Sequence, residues 1–122
     1  MDWVEGLQAA IDHIERHLAD ELPPEEVARQ ACVSSYHFQR VFALLTGMSV
    51  GEYVRARRLT QAGRELSLSD ARVLDVALKY GYESPESFCK AVSRCHGVTT
   101  ASARSPGAML RCMAPLRLKI KL

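Results

Sequence analysis

Few side chains in this sequence are spaced to make or break bonds. His13 and His17 stand four apart and would share a helix face, a spacing that can hold a metal ion. The residues between them do not complete an H-E-x-x-H motif, and no third ligand lies near in sequence, so the pair reads as a solvated helix face with no metal. Cys89, Cys95 and His96 fall close together, which raises thiol or metal sensing. The six-residue spacing of the two thiols puts them on different turns of a helix, and the neighbouring Cys95 and His96 side chains diverge. There is no glycine-rich phosphate loop and no carboxylate pair in an evident cleft, so the chain reads as no enzyme and needs no cofactor. What remains are hydrogen-bonding groups on two helical stretches: Tyr36, His37, Gln39 and Arg40 on one, and Glu86, Ser87, Cys89 and Lys90 on the other. Such sets bind partners rather than transform them.

The chain that must position these groups has 122 residues and a mass of 13.6 kDa, enough for one ordinary domain or two very small ones. Hydrophobic residues make up 48% and charged residues 25%, which excludes a disordered polymer. The longest apolar run, Val41 to Leu45, is far too short to span a bilayer, and no secretory leader is visible. Cys32, Cys89, Cys95 and Cys112 form no C-x-x-C pair and read as free thiols of a cytoplasmic protein. The net charge of +2 hides an asymmetry. Residues 1–26 hold eight acids and one base, a balance of −7; residues 27–122 hold fifteen bases and six acids, a balance of +9. A basic body of this kind favours a polyanionic partner.

The predicted architecture is all-α. Trp3, Leu7, Ala10, Ile11, Ile14 and Leu18 recur at three- and four-residue steps, one face of an amphipathic helix. Pro24 starts a short second helix to about Ala31, with Glu25 and Glu26 in its first turn. Cys32-Val33-Ser34 is a tight turn, and Ser34 caps a third helix over about 35–45. Thr46-Gly47-Met48 stops it, and Ser49 caps a longer helix over about 50–66. Ser67-Leu68-Ser69-Asp70 breaks the pattern before a fifth helix over about 71–79. Gly81 permits a left-handed turn, and Ser84-Pro85-Glu86 opens a sixth helix to about Cys95. A short seventh helix follows from about Thr99 to Arg104. Beyond the Ser105-Pro106-Gly107 breaker, residues 116–122 alternate apolar and polar like a strand with one greasy face.

The sequence also repeats itself. Ala28, Cys32, Val33, Phe38, Arg40, Phe42 and Gly47 return as Ala77, Gly81, Tyr82, Phe88, Lys90, Val92 and Gly97, offset by 49 residues before the turn and 50 after it. One residue is therefore inserted at the second turn. Each unit has the logic of a helix-turn-helix: a small alanine lets the helices cross closely, Val33 or Tyr82 packs into the angle, and Phe38 with Phe42, or Phe88 with Val92, anchors the second helix. Two polar helices presented by one chain favour duplex DNA as the partner over a plain helical bundle.

These residues resemble the DNA-binding domain of the AraC/XylS family of bacterial transcription regulators. The likeness runs from about Leu7 to Arg104 and rests on Ile14-Glu15, Val27-Ala28, Val33-Ser34, Phe38-Gln39-Arg40-Val41-Phe42, Thr46-Gly47, Tyr53-Val54-Arg55, Arg58-Leu59, Ala62, Val76-Ala77, Gly81-Tyr82-Glu83-Ser84, Phe88, Lys90 and Gly97-Val98-Thr99. The chain departs from the family at Val92, where phenylalanine is common, and at Thr100 and Ala103, where proline and tyrosine are usual. The resemblance implies seven helices in two helix-turn-helix subdomains, at about 7–48 and 70–104, joined by the helix over 50–66. Two recognition helices would then enter successive major grooves, roughly 34 Å apart. It also implies an activator that contacts RNA polymerase. The segment 105–122 is similar to the start of a GyrI-like effector-binding domain, so a small-molecule effector would act only through a further C-terminal domain.

Carried onto this chain, the family's base-reading positions fall on Tyr36, Gln39 and Arg40, and on Pro85, Glu86, Ser87, Cys89 and Lys90. Arg40 can fork onto guanine and Gln39 onto adenine, each good pair discriminating by about 1–3 kcal/mol. Tyr36 can pack on a thymine methyl, Glu86 can accept from a cytosine amino group, and Lys90 can meet guanine or phosphate. Ser35, Arg55 and Ser84 suit the phosphate backbone. For Arg55, Arg57 and Arg58 a merely solvated helix face is the alternative. For the whole chain the alternatives are a helical protein–protein module that does not bind DNA, and a metal or thiol sensor.

Overall fold

A computed structural model describes residues 3–96, whose regular elements are all helices: α1 (Trp3–Arg16), α2 (Pro24–Arg29), α3 (Ser35–Thr46), α4 (Val50–Leu68), α5 (Val73–Lys79) and α6 (Pro85–His96). The described chain divides into two compact units, 3–54 and 55–96. The first turn of α4 belongs to one unit and its remainder to the other.

In the first unit, α1 buries Leu7, Ala10, Ile11 and Ile14, the stripe its period demands, and Leu18 follows them into the core just past the helix end. Gly6 lets α1 pass close to the end of α2: a Cβ there would come within 3.2 Å of the Ala31 Cα. Pro23 and Pro24 fix the extended entry to α2, and the Pro23 carbonyl accepts from the N–H groups of Glu26 and Val27. Ser34 caps α3 by accepting from the His37 N–H at 3.1 Å. Gly47, at φ 75°, ends α3 in the left-handed conformation, where a side chain would be strained. Ser49 then caps α4 through the Glu52 N–H at 3.0 Å. Phe38, Phe42 and Tyr53 form a run of tilted rings 5.9 and 5.8 Å apart in the core. The Tyr53 hydroxyl donates to Glu15 Oε2 at 2.8 Å, so the deepest aromatic keeps its polar end satisfied.

The second unit buries Leu59, Ala62 and Leu66 of α4, Val76 and Ala77 of α5, Tyr80 beyond it, and Phe88 and Val92 of α6. Each fully buried large apolar side chain is worth roughly 1.5–3 kcal/mol, more than a typical net hydrogen bond, so packing sets the helix angles. A polar tie joins α4 to the end of α5. Glu65 on α4 accepts from Lys79 Nζ and from the Tyr80 hydroxyl, both at 2.6 Å. Burial alone would push the Glu65 carboxyl up, but those two hydrogen bonds and the Lys79 charge outweigh it and hold it below its ordinary value. Burial and the same carboxylate push the Tyr80 phenol well up.

The helices differ from the sequence-based expectation mainly at their ends. α1 stops at Arg16 instead of Leu18, α2 at Arg29 instead of Ala31, and α5 starts at Val73 instead of Ala71. α4 runs two residues past Leu66, and the serines read as breakers bond back onto it: the Ser67 and Ser69 hydroxyls donate to the Arg64 and Glu65 carbonyls, and the Ser69 N–H also reaches the Glu65 carbonyl. Val33 was expected inside the interhelical angle but is 37% exposed, because it borders a small hollow of about 100 Å³ with Trp3, His37 and Val41. Cys32 and Cys89 are free, as expected, whereas Cys95 is disulfide-bonded and not the free thiol its spacing suggested. Cys112, the seventh helix and the strand-like segment 116–122 lie outside the described residues.

Two outcomes follow from these contacts. Cys32 is the only non-glycine residue at positive φ among those described (59°), so Cys32→Gly stabilises the chain by about 0.5–1 kcal/mol and Gly81→Ala destabilises it by about 1 kcal/mol, read by urea denaturation. Because Glu65 titrates lower when folded than unfolded, its contribution is full above its unfolded value and is lost as pH falls through the folded one. Melting curves of Glu65→Gln across the acid range therefore fall less steeply with pH than those of the parent.

Candidate nucleic-acid interface

The two turns are built alike. In the first, the Val33 N–H reaches back to the Ala28 carbonyl at 3.4 Å and the Cys32 N–H to the Arg29 carbonyl at 3.0 Å. In the second, the Tyr82 N–H reaches the Ala77 carbonyl at 2.9 Å and the Gly81 N–H the Leu78 carbonyl at 3.2 Å. The residue before the long bond is left-handed in both, Cys32 at φ 59° and Gly81 at φ 88°. Ala28 and Ala77 are buried on the first helix of each pair. Glu83 is the inserted residue, and after it the pattern resumes: Ser84 caps α6 through the Ser87 N–H at 3.2 Å, as Ser34 caps α3. Each unit thus contains a helix-turn-helix, α2 with α3 and α5 with α6.

Within each unit, one side of the second helix is core and the other is open. Phe38 and Phe42 are buried while Tyr36, Gln39 and Arg40 are exposed, Tyr36 by 71%. Arg40 Nη1 donates to the Tyr36 hydroxyl at 3.1 Å, with its guanidinium carbon 5.7 Å from the ring centre. Gln39 Nε2 donates to the half-buried Ser35 hydroxyl at 2.9 Å. These four sequence-predicted residues form one continuous patch. A hollow of about 400 Å³ adjoins it at the start of α3, lined by Arg29, Ser34 and Ser35 but also by Glu25.

The second patch is looser. Pro85, Glu86, Ser87 and Lys90 are exposed, whereas Cys89 is half-buried and presents less to a partner than sequence reasoning allowed. The Ser84 and Ser87 hydroxyls are occupied: Ser84 Oγ donates to Ser87 Oγ, and Ser87 Oγ to the Ser84 carbonyl, both at 3.1 Å. Ser84 therefore serves its own turn before any outside anion. Arg55 is exposed on α4. Arg55 and Arg58 stand near Tyr82: burial pushes the Tyr82 phenol up, and the two guanidinium charges pull against that rise. Burial also pulls the half-buried Arg58 down, with Tyr82 opposing. Arg57 does not share their face. It is 3% exposed, so neither backbone contact nor a solvated surface describes it.

Two cations escaped the sequence reading. Arg29 borders the hollow at the start of α3, and Arg94 is exposed four residues after Lys90 on α6. The same four-residue step that marks a helix face would have found Arg94. His13 and His17 have ring centres 4.6 Å apart, and His17 Nδ1 lies 3.1 Å from Asp20 Oδ2. Burial, His17 and Arg16 pull His13 down, with Glu26 opposing. Among the described residues no cluster of three metal-ligating side chains occurs, and no helix is long and apolar enough to cross a membrane.

Comparison with known proteins bears on this geometry. The sequence profile of a family described as a helix-turn-helix domain matches residues 27–105. The HTH-type transcriptional activator AarP of Providencia stuartii is 36% identical over 91 residues, covering 75% of this chain and 67% of that protein. The right origin-binding protein of Escherichia coli K12 is 37% identical over 120 residues, 97% of this chain and 42% of that one. Among solved structures, the DNA-binding domain of AdpA, a global transcriptional factor in complex with a target DNA, superposes with a TM-score of 0.71 at 30% identity, covering 82% of this chain and 90% of that one. The chain spans from 36% to 67% of the length of such curated relatives.

The Ser34 cap holds the first turn of the helix that carries the first patch. Ser34→Ala lowers stability by about 1 kcal/mol in chemical denaturation, and Ser34→Asp, which restores an acceptor, recovers most of it.

Proposed function

The chain belongs to the AraC-type helix-turn-helix family, and on that premise we propose that it is the DNA-binding part of a transcription regulator, reading duplex DNA through α3 and α6. The observation that carries this reading is the duplicated turn, with a polar, exposed second helix in each unit. A helix of this kind fits the major groove, where base edges differ in their donors and acceptors. In the first unit, Arg40 reads guanine, Gln39 reads adenine and Tyr36 packs on a thymine methyl. In the second, Glu86 accepts from cytosine and Lys90 meets guanine or phosphate, with Pro85, Ser87 and Cys89 at the same edge.

Ser35, Arg55 and Ser84 serve the sugar-phosphate backbone in this reading, and Arg29 and Arg94 join them. Such contacts fix register and add affinity without sequence information. In this reading the helix-turn-helix subdomains are those at about 7–48 and 70–104, with the helix over about 50–66 as the linker, and α3 and α6 enter successive grooves. The likeness to AarP favours activation as the output. Contact with RNA polymerase, response to a small-molecule effector through a further domain, and a cytoplasmic location belong to the same proposal. No step in it makes or breaks a covalent bond.

Selection of the chain against random duplex DNA tests the proposal and yields a preferred site. Arg40→Ala then weakens binding to that site roughly 5- to 100-fold while changing affinity for random duplex far less. Equal losses on both would remove Arg40 from the base readers. Affinity for either duplex falls steeply and log-linearly with salt, by a slope near −0.9 per phosphate contacted. Selection that returns no preferred sequence overturns the proposal.

A further inference from the structure

The two patches differ in how their side chains stand before any ligand arrives. On α3, both long side chains at the reading edge are tied to a residue one turn earlier: Arg40 to Tyr36, and Gln39 to Ser35. The offset of 50 that relates the units puts Glu86 and Lys90 at the equivalents of Tyr36 and Arg40. That pair has opposite charges at a spacing that allows contact, yet no ion pair or hydrogen bond joins it. Arg40 is therefore held by the side chain one turn before it, and Lys90 is not.

We infer that the Tyr36 hydroxyl is a positioning group that orients the Arg40 guanidinium for base reading, making α3 the more selective helix. This rests on the proposed function and deepens it. A guanidinium has five N–H donors, and Tyr36 takes one, leaving enough for a forked contact with a guanine edge. The placement over the ring, 5.7 Å from its centre, adds a second restraint on the same group. An arginine tied in this way loses less rotamer freedom on binding, which raises affinity only for the sequence that its fixed fork matches. Gln39 is arranged similarly. Its Nε2 has two hydrogens, and the one given to Ser35 leaves the other hydrogen and the carbonyl oxygen for an adenine edge.

The hydroxyl is the atom to remove. Tyr36→Phe keeps the ring, and Tyr36 is exposed, so the fold does not depend on the change. The test measures affinity for the selected site, and for that site with its Arg40-read base pair inverted, using the parent, Tyr36→Phe, Arg40→Ala and the double variant. The ratio of the two affinities falls about fivefold in Tyr36→Phe. In an Arg40→Ala background, Tyr36→Phe has no further effect on that ratio, because the group it positions is gone. A parent-like ratio in Tyr36→Phe overturns the inference alone, as do independent, multiplying losses in the double variant. A parent that selects no site overturns the proposed function itself.

Discussion

Each unit depends on one backbone hydrogen bond that closes its turn. The bonds from Val33 to Ala28 and from Tyr82 to Ala77 reach back five residues, which requires a left-handed residue just before the donor. That geometry fixes the direction in which the chain leaves the turn. The serine caps then start the second helix at a set position, and the buried alanines let it lie close to the first. An outward-facing polar patch is useful only because these few atoms decide which side of the helix faces out.

The two units meet that constraint with different residues. The second uses glycine at the left-handed position, and the first uses cysteine, accepting a backbone cost of about 1 kcal/mol. The first unit anchors its helix with Phe38 and Phe42 and links them to Tyr53, whose hydroxyl is satisfied by Glu15. The second has Val92 at the matching place and pairs Phe88 with Tyr82, 5.4 Å between ring centres. It adds the Glu65 tie to Lys79 and Tyr80. Duplicated architecture has therefore been stabilised by separate means.

Much of this was legible in the sequence because it is local and periodic. Apolar spacing located the core faces of α1, α3 and α6, and the serine, proline and glycine signals placed the caps and turns. The repeat predicted two similar turns and even the inserted residue, because a slip of one residue would rotate every later side chain by about 100°. Non-local facts were hidden. Arg57 is charged but buried, and nothing in its neighbours along the chain distinguishes it from exposed Arg55. The Glu65 tie joins residues fourteen and fifteen apart. Serines 67 and 69 misled for another reason: a hydroxyl that can compete with a helix can also bond back to a carbonyl one turn earlier without ending it.

Along α3 the side chains alternate sharply between two fates. Phe38 is enclosed, its neighbours His37 and Gln39 are open, and Arg40 is open while Phe42 is enclosed. No residue at the open positions carries any of the core. The vocabulary of such a helix can be rewritten one letter at a time without disturbing the body that holds it, so new preferences can arise by drift at the surface while the scaffold stays under an unrelated and stricter form of selection.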